Sequence, residues 1–294
     1  MKPVRQFWTL NNYGDELGPY ITWRLTHQFP KHTFTRKYFP LNFIKALYHI
    51  IIRRDLLTAG HLAGAAMSKV HLTVGSILES TSKGDIVWGS GMGTKSPKIA
   101  KGKFYSVRGP ISKRYVQSLG YEVGNNTGDP GLLMPLLCLY RGSKKKSSLT
   151  IIPHKRDHLN MEAMLEKSAL SYDVVDLCST NVEKVTLDIA SSNLVLSSSL
   201  HGLIIAHAYG VPALWIKAKD IGGDDTKFID YFGSVKIKEY LPIEESVLLL
   251  PWVEIQSMMM NMMKYSLIQS DLGQIQKDLL DNCPFEGVSS NDFF

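Results

Sequence analysis

At 294 residues the chain is long enough to bury a sizeable core and to divide into two domains of roughly 130–150 residues each. Hydrophobic residues at 44% and charged residues at 20% exclude global disorder. The formal net charge of +6 suits an anionic ligand or an acidic membrane surface; nucleic acid is the weakest partner, because the basic residues are dispersed and no aromatic-basic motif occurs.

Residues 1–6 lead into FWTLNNYGDELG and not into an apolar run, so no signal peptide is expected. Cys138, Cys178 and Cys283 are odd in number, far apart and without C-x-x-C spacing. Reduced thiols and a cytoplasmic location are therefore expected. The most apolar early stretch, 43–57 (FIKALYHIIIRRDLL), is too short to span a bilayer and carries Lys45, His49, Arg53 and Arg54. It reads as an amphipathic helix packed on the core, with peripheral membrane contact as the alternative.

Short apolar runs alternate with helical patterns along the chain. A helix is predicted over 17–27, then strands over 70–74 (VHLTV), 86–88 (IVW), 104–107 (FYSV) and 122–123. Gly109-Pro110 sets proline at the first position of a helix over 110–119. The run Lys144-Lys145-Lys146, flanked by Gly142 and serines, reads as a solvated linker. Beyond it the pattern begins afresh: strands over 149–152, 172–175, 194–197 and 213–216, with helices over 161–170, 183–190 and 203–209. Two helices, 251–263 and 270–280, close the chain; the methionines at 258–263 are read as packing residues, not a soft-metal site. This alternation predicts an α/β protein of two units with parallel sheets, 1–142 and 143–294. Ligands of such folds lie beyond the carboxyl ends of the strands.

Four segments there carry chemistry. In Asn11-Asn12-Tyr13-Gly14-Asp15, Gly14 suits a tight turn and Asp15 suits a helix cap. Gly75-Ser76 and Trp88-Gly89-Ser90-Gly91-Met92-Gly93 offer bare amides to an anion or a sugar; their spacing does not fit a dinucleotide fingerprint. Arg108 ends a strand before a helix start, where its guanidinium can pair with carboxylate or phosphate, and Asp129 sits in a Gly-Asp-Pro turn. Ser197-Ser198-Ser199-Leu200-His201-Gly202 forms a strand-to-helix turn, with His201 able to exchange a proton near neutral pH. His154, Lys155 and Arg156 follow another strand, and His154 and His158 lack a third ligand for zinc. Lys217 and Lys227 are read as solvated lysines that add positive charge.

NNYGDELG, GSIL, VWGSGMG, VRGPIS, TGDPGLLMP, IPHKRD, SSSLHGLIIAHAYGVPALWI and KFIDYF, in this order, resemble the polysaccharide pyruvyl transferase family, in particular its branch acting on bacterial exopolysaccharides. The resemblance implies a GT-B-like fold with two Rossmann-like domains facing a central cleft. It implies phosphoenolpyruvate as donor, a pyruvate ketal formed across two sugar hydroxyls, and neither metal nor other cofactor. His201 falls on the family's general acid/base histidine and Arg108 on its donor-anion arginine. On this basis 143–294 is the donor side, with Ser198, Ser199, Gly202, His154, Lys155 and Lys217 as donor-binding residues, joined by Arg108 from 1–142. The acceptor side is 1–142, with Asn12, Asp15, Ser76, Ser90 and Asp129. Ser199 stands where many members carry arginine, so a second cation is expected from Lys155, Arg156 or Lys217. Anions near His201 are expected to raise its pKa. The acceptor is a saccharide, and a lipid-linked one would suit a site at the inner face of a membrane. A sugar-nucleotide-dependent glycosyltransferase is the alternative, with Asp224-Asp225 as its ribose-binding acids. A non-catalytic scaffold is the third reading, and the intact His201 turn and Arg108 oppose it.

Overall fold

A computed structural model of the chain describes residues 4–9, 12–35, 37, 44, 47–48, 50–52, 54, 69–143, 149–170, 172–217 and 225–294. The linker lysines 144–146, Asp224 and much of 43–57 lie outside the described residues.

The first sheet has five strands in the order β2-β1-β3-β4-β5: β1 Arg5–Gln6, β2 Lys31–His32, β3 His71–Leu72, β4 Ile86–Trp88 and β5 Lys103–Ser106. The second has four in the order β7-β6-β8-β9: β6 Thr150–Ile152, β7 Asp173–Val174, β8 Val195–Ser197 and β9 Ala213–Trp215. Every pairing is parallel. In β6, β8 and β9 every residue is buried, as expected of parallel strands covered on both faces, and their sequences TII, VLS and ALW lack alternation for that reason. The expected α/β class with two parallel sheets is thus present. Residues 122–123 make only an isolated bridge from Val123 to Phe104. The short β2, a Lys-His pair with no apolar signal, is held by Lys31 N donating to Val4 O and Thr33 N donating to Gln6 O.

The helices among the described residues are α1 (Tyr13–Thr26), α2 (Pro110–Ser118), α3 (Met134–Leu137), α4 (His158–Leu165), α5 (Val182–Ala190), α6 (Leu200–Ala208), α7 (Thr226–Ser234), α8 (Trp252–Met262) and α9 (Leu272–Asp281). Three start several residues earlier than their sequence pattern; α4 begins at His158 and ends at Leu165, not 161–170. Extended Asn12 lets α1 begin at Tyr13, with Asp15 and Glu16 in its first turn, where the helix dipole favours them. Extended Ser199 lets α6 begin at Leu200, which moves His201 from a turn into the helix.

The largest apolar cluster runs across both sheets. It joins Tyr13, Leu17 and Ile21 of α1 to Val185 and Ile189 of α5, Leu203–Ile205 of α6, and Ile275 and Leu279 of α9. Polar bonds tie the same seam: the Tyr13 and Thr186 hydroxyls lie 2.7 Å apart, Tyr20 Oη donates to Glu183 Oε1 at 2.8 Å, and Trp88 Nε1 donates to Leu279 O at 3.0 Å. Smaller apolar clusters around Leu72 and Val87, and around Ile151 and Leu196, lie against the individual sheets. Met259 joins the latter and Met260 faces solvent, so the methionine cluster has one packed side. The three cysteines are free thiols.

Candidate functional site

The serines after β8 knit the sheet end together. Ser197 Oγ donates to Ile152 O at 2.9 Å and accepts from Ser199 N at 3.0 Å. Ser198 Oγ accepts from His154 N at 2.8 Å and donates to Asp157 Oδ2 at 3.4 Å. Gly202 packs on the Ser197 side chain, and Ser199 makes no side-chain cap bond. The result is a rigid platform from which α6 projects His201.

His201 is 8% exposed. Its ring presses on the first turn of α1, where a Cβ built on Gly14 would fall inside the imidazole. On the other side Nε2 faces Asp129 Oδ2 at 3.8 Å, and neither atom has a hydrogen-bond partner. Asp129 is held by its other oxygen, which accepts from Gly131 N at 2.9 Å and caps the 3-10 turn Pro130–Leu133. Burial raises the Asp129 carboxyl to about 6. The expectation for His201 is overturned in sign: burial first, then Arg108, Lys227 and His154, push it down to about 3. The ring of the ligand-free protein is therefore neutral at pH 7.

Arg108, just past β5, is fully buried. Its Nη1 donates to Ser76 Oγ at 2.8 Å, its Nη2 donates to Met92 O at 2.7 Å, and Nη2 lies 3.5 Å from Asp230 Oδ2. Nε has no partner. The two Gly/Ser loops build this cradle by bonding each other: Gly91 N donates to Gly75 O at 3.1 Å, Leu78 N to Gly91 O at 3.2 Å, and Ser90 Oγ to Gly75 O at 3.0 Å. Their amides therefore serve the cradle, and Gly91 is required because a side chain there would collide with the guanidinium.

Asp230, to which sequence reasoning gave no role, links Arg108 to α2. It accepts from Ile111 N and Ser112 N, both at 2.9 Å, and from Ser112 Oγ at 2.6 Å, the position an anion takes at a helix start. Its signal was legible in KFIDYF: an acid among Phe228, Tyr231 and Phe232 on the buried face of a helix calls for a buried partner.

Around the His201 rim, His154 is pushed down to about 4 by burial, then by Lys227 and Arg156. Asp15, bonded by Asn12 Nδ2 at 2.9 Å, is raised to about 6 by burial, with Lys155 opposing the shift. The start of α1 therefore lies beside the loop after β6. Lys217 does not join this group; its Nζ pairs with Glu244 Oε1 at 3.3 Å on the surface. The half-buried Lys227 does join it, which corrects its reading as a solvated lysine. Asp225 is exposed. His158 pairs with Glu162 at 3.1 Å, and among the described residues no group of three or more His, Cys, Asp or Glu side chains is placed to hold a metal ion.

Two tests follow from this packing. Gly14→Ala is expected to displace the His201 ring and lower turnover by at least about 10-fold, since a displacement of about 1 Å is enough for such losses. Unchanged steady-state kinetics would refute the contact. The second concerns pH. His154, His201 and His207 are held neutral, at about 4, 3 and 4, each chiefly by burial, and take up protons on unfolding below about pH 6.5. Asp15 and Asp129, held at about 6, release protons on unfolding above about pH 4. Near pH 5 three uptakes outweigh two releases, so the unfolded state binds more protons and stability drops by ~1.4 kcal/mol for each unit the pH is lowered, for one net proton. The urea midpoint is expected to be lower at pH 5 than at pH 7; an equal or higher one contradicts the neutral histidines.

The model of the family described as polysaccharide pyruvyl transferase matches residues 12–219, a stretch holding Arg108, Asp129, His154 and His201. A second similarity is to "Uncharacterized protein L143" of Acanthamoeba polyphaga mimivirus, 30% identical over 166 residues, which are 54% of this chain. The match spans 57% of that protein's own length. No solved structure matches. With more than half its length matched, and with the buried arginine, the Gly-Asp-Pro turn and the histidine-bearing helix start inside that stretch, the chain belongs to the polysaccharide pyruvyl transferase family.

Proposed function

We propose that the chain transfers a pyruvyl group from phosphoenolpyruvate to two hydroxyls of a saccharide, forming a cyclic ketal. The observation that carries this reading is a neutral His201 at a helix start, its Nε2 without a hydrogen-bond partner, with Arg108 and Lys227 close enough to act on it. Cations at such a place suit an anionic donor, and phosphoenolpyruvate brings a carboxylate and a phosphate. Bound anions raise the affinity of His201 for a proton, so the ring is charged by the arrival of the donor that uses it.

His201 delivers that proton to C3 of the enol, which becomes a methyl group and leaves C2 an oxocarbenium ion. One sugar hydroxyl adds to C2 and gives up its proton. Phosphate departs with the electron pair of the C2–O bond and takes up a proton, and the second hydroxyl closes the ketal, losing its own. Asp129 Oδ2, facing Nε2, orients the ring or accepts a hydroxyl proton. No metal or further cofactor takes part in this scheme.

In this reading the architecture is GT-B-like, with 1–142 as the acceptor side (Asn12, Asp15) and 143–294 as the donor side (Ser199, Gly202, His154, Lys155), while Ser76, Ser90 and Ser198 support the site from behind. No helix among the described residues is long and apolar enough to cross a membrane. The exposed Ile44, Ile51 and Ile52 support peripheral contact with a membrane from the cytoplasmic side, where a lipid-linked exopolysaccharide precursor would be met.

The test is phosphate release from phosphoenolpyruvate against a panel of galactosides, glucosides and N-acetylmannosamine-containing saccharides. Acceptor-dependent release with a matching mass gain on the sugar is expected. Absence of release, together with thermal protection by a UDP- or GDP-sugar but not by phosphoenolpyruvate, would replace this reading with glycosyl transfer.

A further inference from the structure

The far end of the first sheet holds two recesses that the reaction does not use. Its edge strand is β5, where exposed Lys103 and Tyr105 alternate with buried Phe104 and Ser106. The chain beyond α2 returns along that edge, bridging Val123 to Phe104, and passes so close at Gly124 that a side chain there would collide with Tyr105 O. A cavity of about 570 Å³ opens here, with Lys101, Lys103, Tyr105, Tyr121 and Glu122 on its walls. Phe104 stacks on Tyr121, ring centroids 6.0 Å apart and planes 8° from parallel, and so fixes that ring. Residues 98–100 run directly into a second cavity of about 460 Å³, walled by Lys37, Lys83 and Lys98.

Together the walls carry five lysines against one carboxylate, Glu122. Lys37 Nζ donates to Glu79 O. Lys83, Lys98, Lys101 and Lys103 are exposed, and none forms an ion pair with a described residue. The fold thus gathers lysines that are dispersed in the sequence into one strip with little to balance it. The strip lies at the amino ends of the strands. From Lys103 the chain runs through β5 to Arg108, about 16 Å at extended-strand spacing, so the strip is separate from the His201 site.

We propose that this strip is a second saccharide site, which takes a carboxylate-bearing stretch of polysaccharide. A recess lined by one sign of charge draws in the carboxylates, and the tyrosine rings suit the apolar face of a sugar. An acidic bilayer fits less well, because the recesses are concave and present no exposed aliphatic side chain to enter it. The polysaccharide substrates of the family favour a sugar over nucleic acid. The carboxylate belongs either to a uronic acid of the polymer or to the pyruvate ketal; the second source rests on the reaction proposed above. Held at the strip, a polymer keeps further repeats near the catalytic site at raised local concentration.

The experiment measures dissociation constants of the full chain for oligogalacturonate, a pyruvylated galactan oligosaccharide and its unmodified counterpart. Phosphatidylglycerol vesicles and oligouridylate are run beside them. The wild type is expected to bind both carboxylated sugars, more weakly as salt rises, and the unmodified one at least about 10-fold less tightly. A double variant, Lys101→Gln with Lys103→Gln, should raise the oligogalacturonate constant about 10-fold, and Tyr105→Ala about 3–10-fold, with urea midpoints unchanged. Tighter binding of the pyruvylated sugar than of oligogalacturonate names the ketal as the source; equal binding names any carboxylate. Phosphate release with a small neutral galactoside should stay normal in the double variant. Equal affinity for carboxylated sugars in the wild type and the double variant overturns the second site and leaves the proposed reaction standing. Sugar binding at the strip without any phosphate release keeps the site and removes that reaction. Binding of vesicles or oligouridylate but of neither carboxylated sugar, lost in the double variant, replaces the saccharide with a membrane or a nucleic acid.

Discussion

Replacing His201 with alanine is expected to lower turnover by about 10²–10⁴-fold and to leave the fold standing. The two halves of this expectation have separate causes. The ring is placed for chemistry by rigid neighbours: Gly14 on one face, Asp129 opposite Nε2, and the serine platform beneath α6. It contributes little to stability, because its ring carries no hydrogen bond at Nε2 and its charged form is disfavoured where it lies. Phosphate release and a urea midpoint measured on the same preparation separate the two. Near-normal turnover would remove His201 from the mechanism; a collapse of the midpoint would make it a packing residue.

Asp230→Ala is expected to be the most destabilising of the substitutions considered, by about 3–5 kcal/mol, the usual penalty for stranding one member of a buried ion pair. Arg108 would keep its bonds to Ser76 and Met92 but lose the carboxylate 3.5 Å away, in a place without solvent. The start of α2 would lose the acceptor for Ile111 N, Ser112 N and Ser112 Oγ together. Asp230→Asn keeps the shape, loses the charge and should fall between. Denaturation of the three proteins in urea tests the order; a loss below about 1 kcal/mol for alanine would mean that the pair carries little.

Much of this arrangement is legible in the sequence because parallel strands and their helix starts leave strong marks. The buried runs TII, VLS and ALW, and Pro110 at the head of α2, place sheet ends and helix starts directly. His201, Asp129 and Arg108 stand out as polar residues set at those ends. Other features are decided by contacts far apart in sequence and leave no local trace. The strand Lys31–His32 exists because Val4 and Gln6 offer it carbonyls. That Lys227, and not Lys217, meets the site depends on Trp215 stacking on Phe228 and on Glu244 engaging Lys217. The protonation of His201 follows the same rule: burial against α1 lowers its pKa first, and Arg108, Lys227 and His154, brought from far along the chain, lower it further.

The seam between the sheets has a further consequence. One continuous apolar cluster joins α1 to α5, α6 and α9, and His201 sits on its edge beneath the first turn of α1. Rocking the lobes apart to admit substrates would wet that cluster and break the Tyr13–Thr186 and Tyr20–Glu183 bonds at once. An opening confined to the rim, where the loop after β6 carries exposed Lys155 and Arg156, would leave that cluster and both bonds intact.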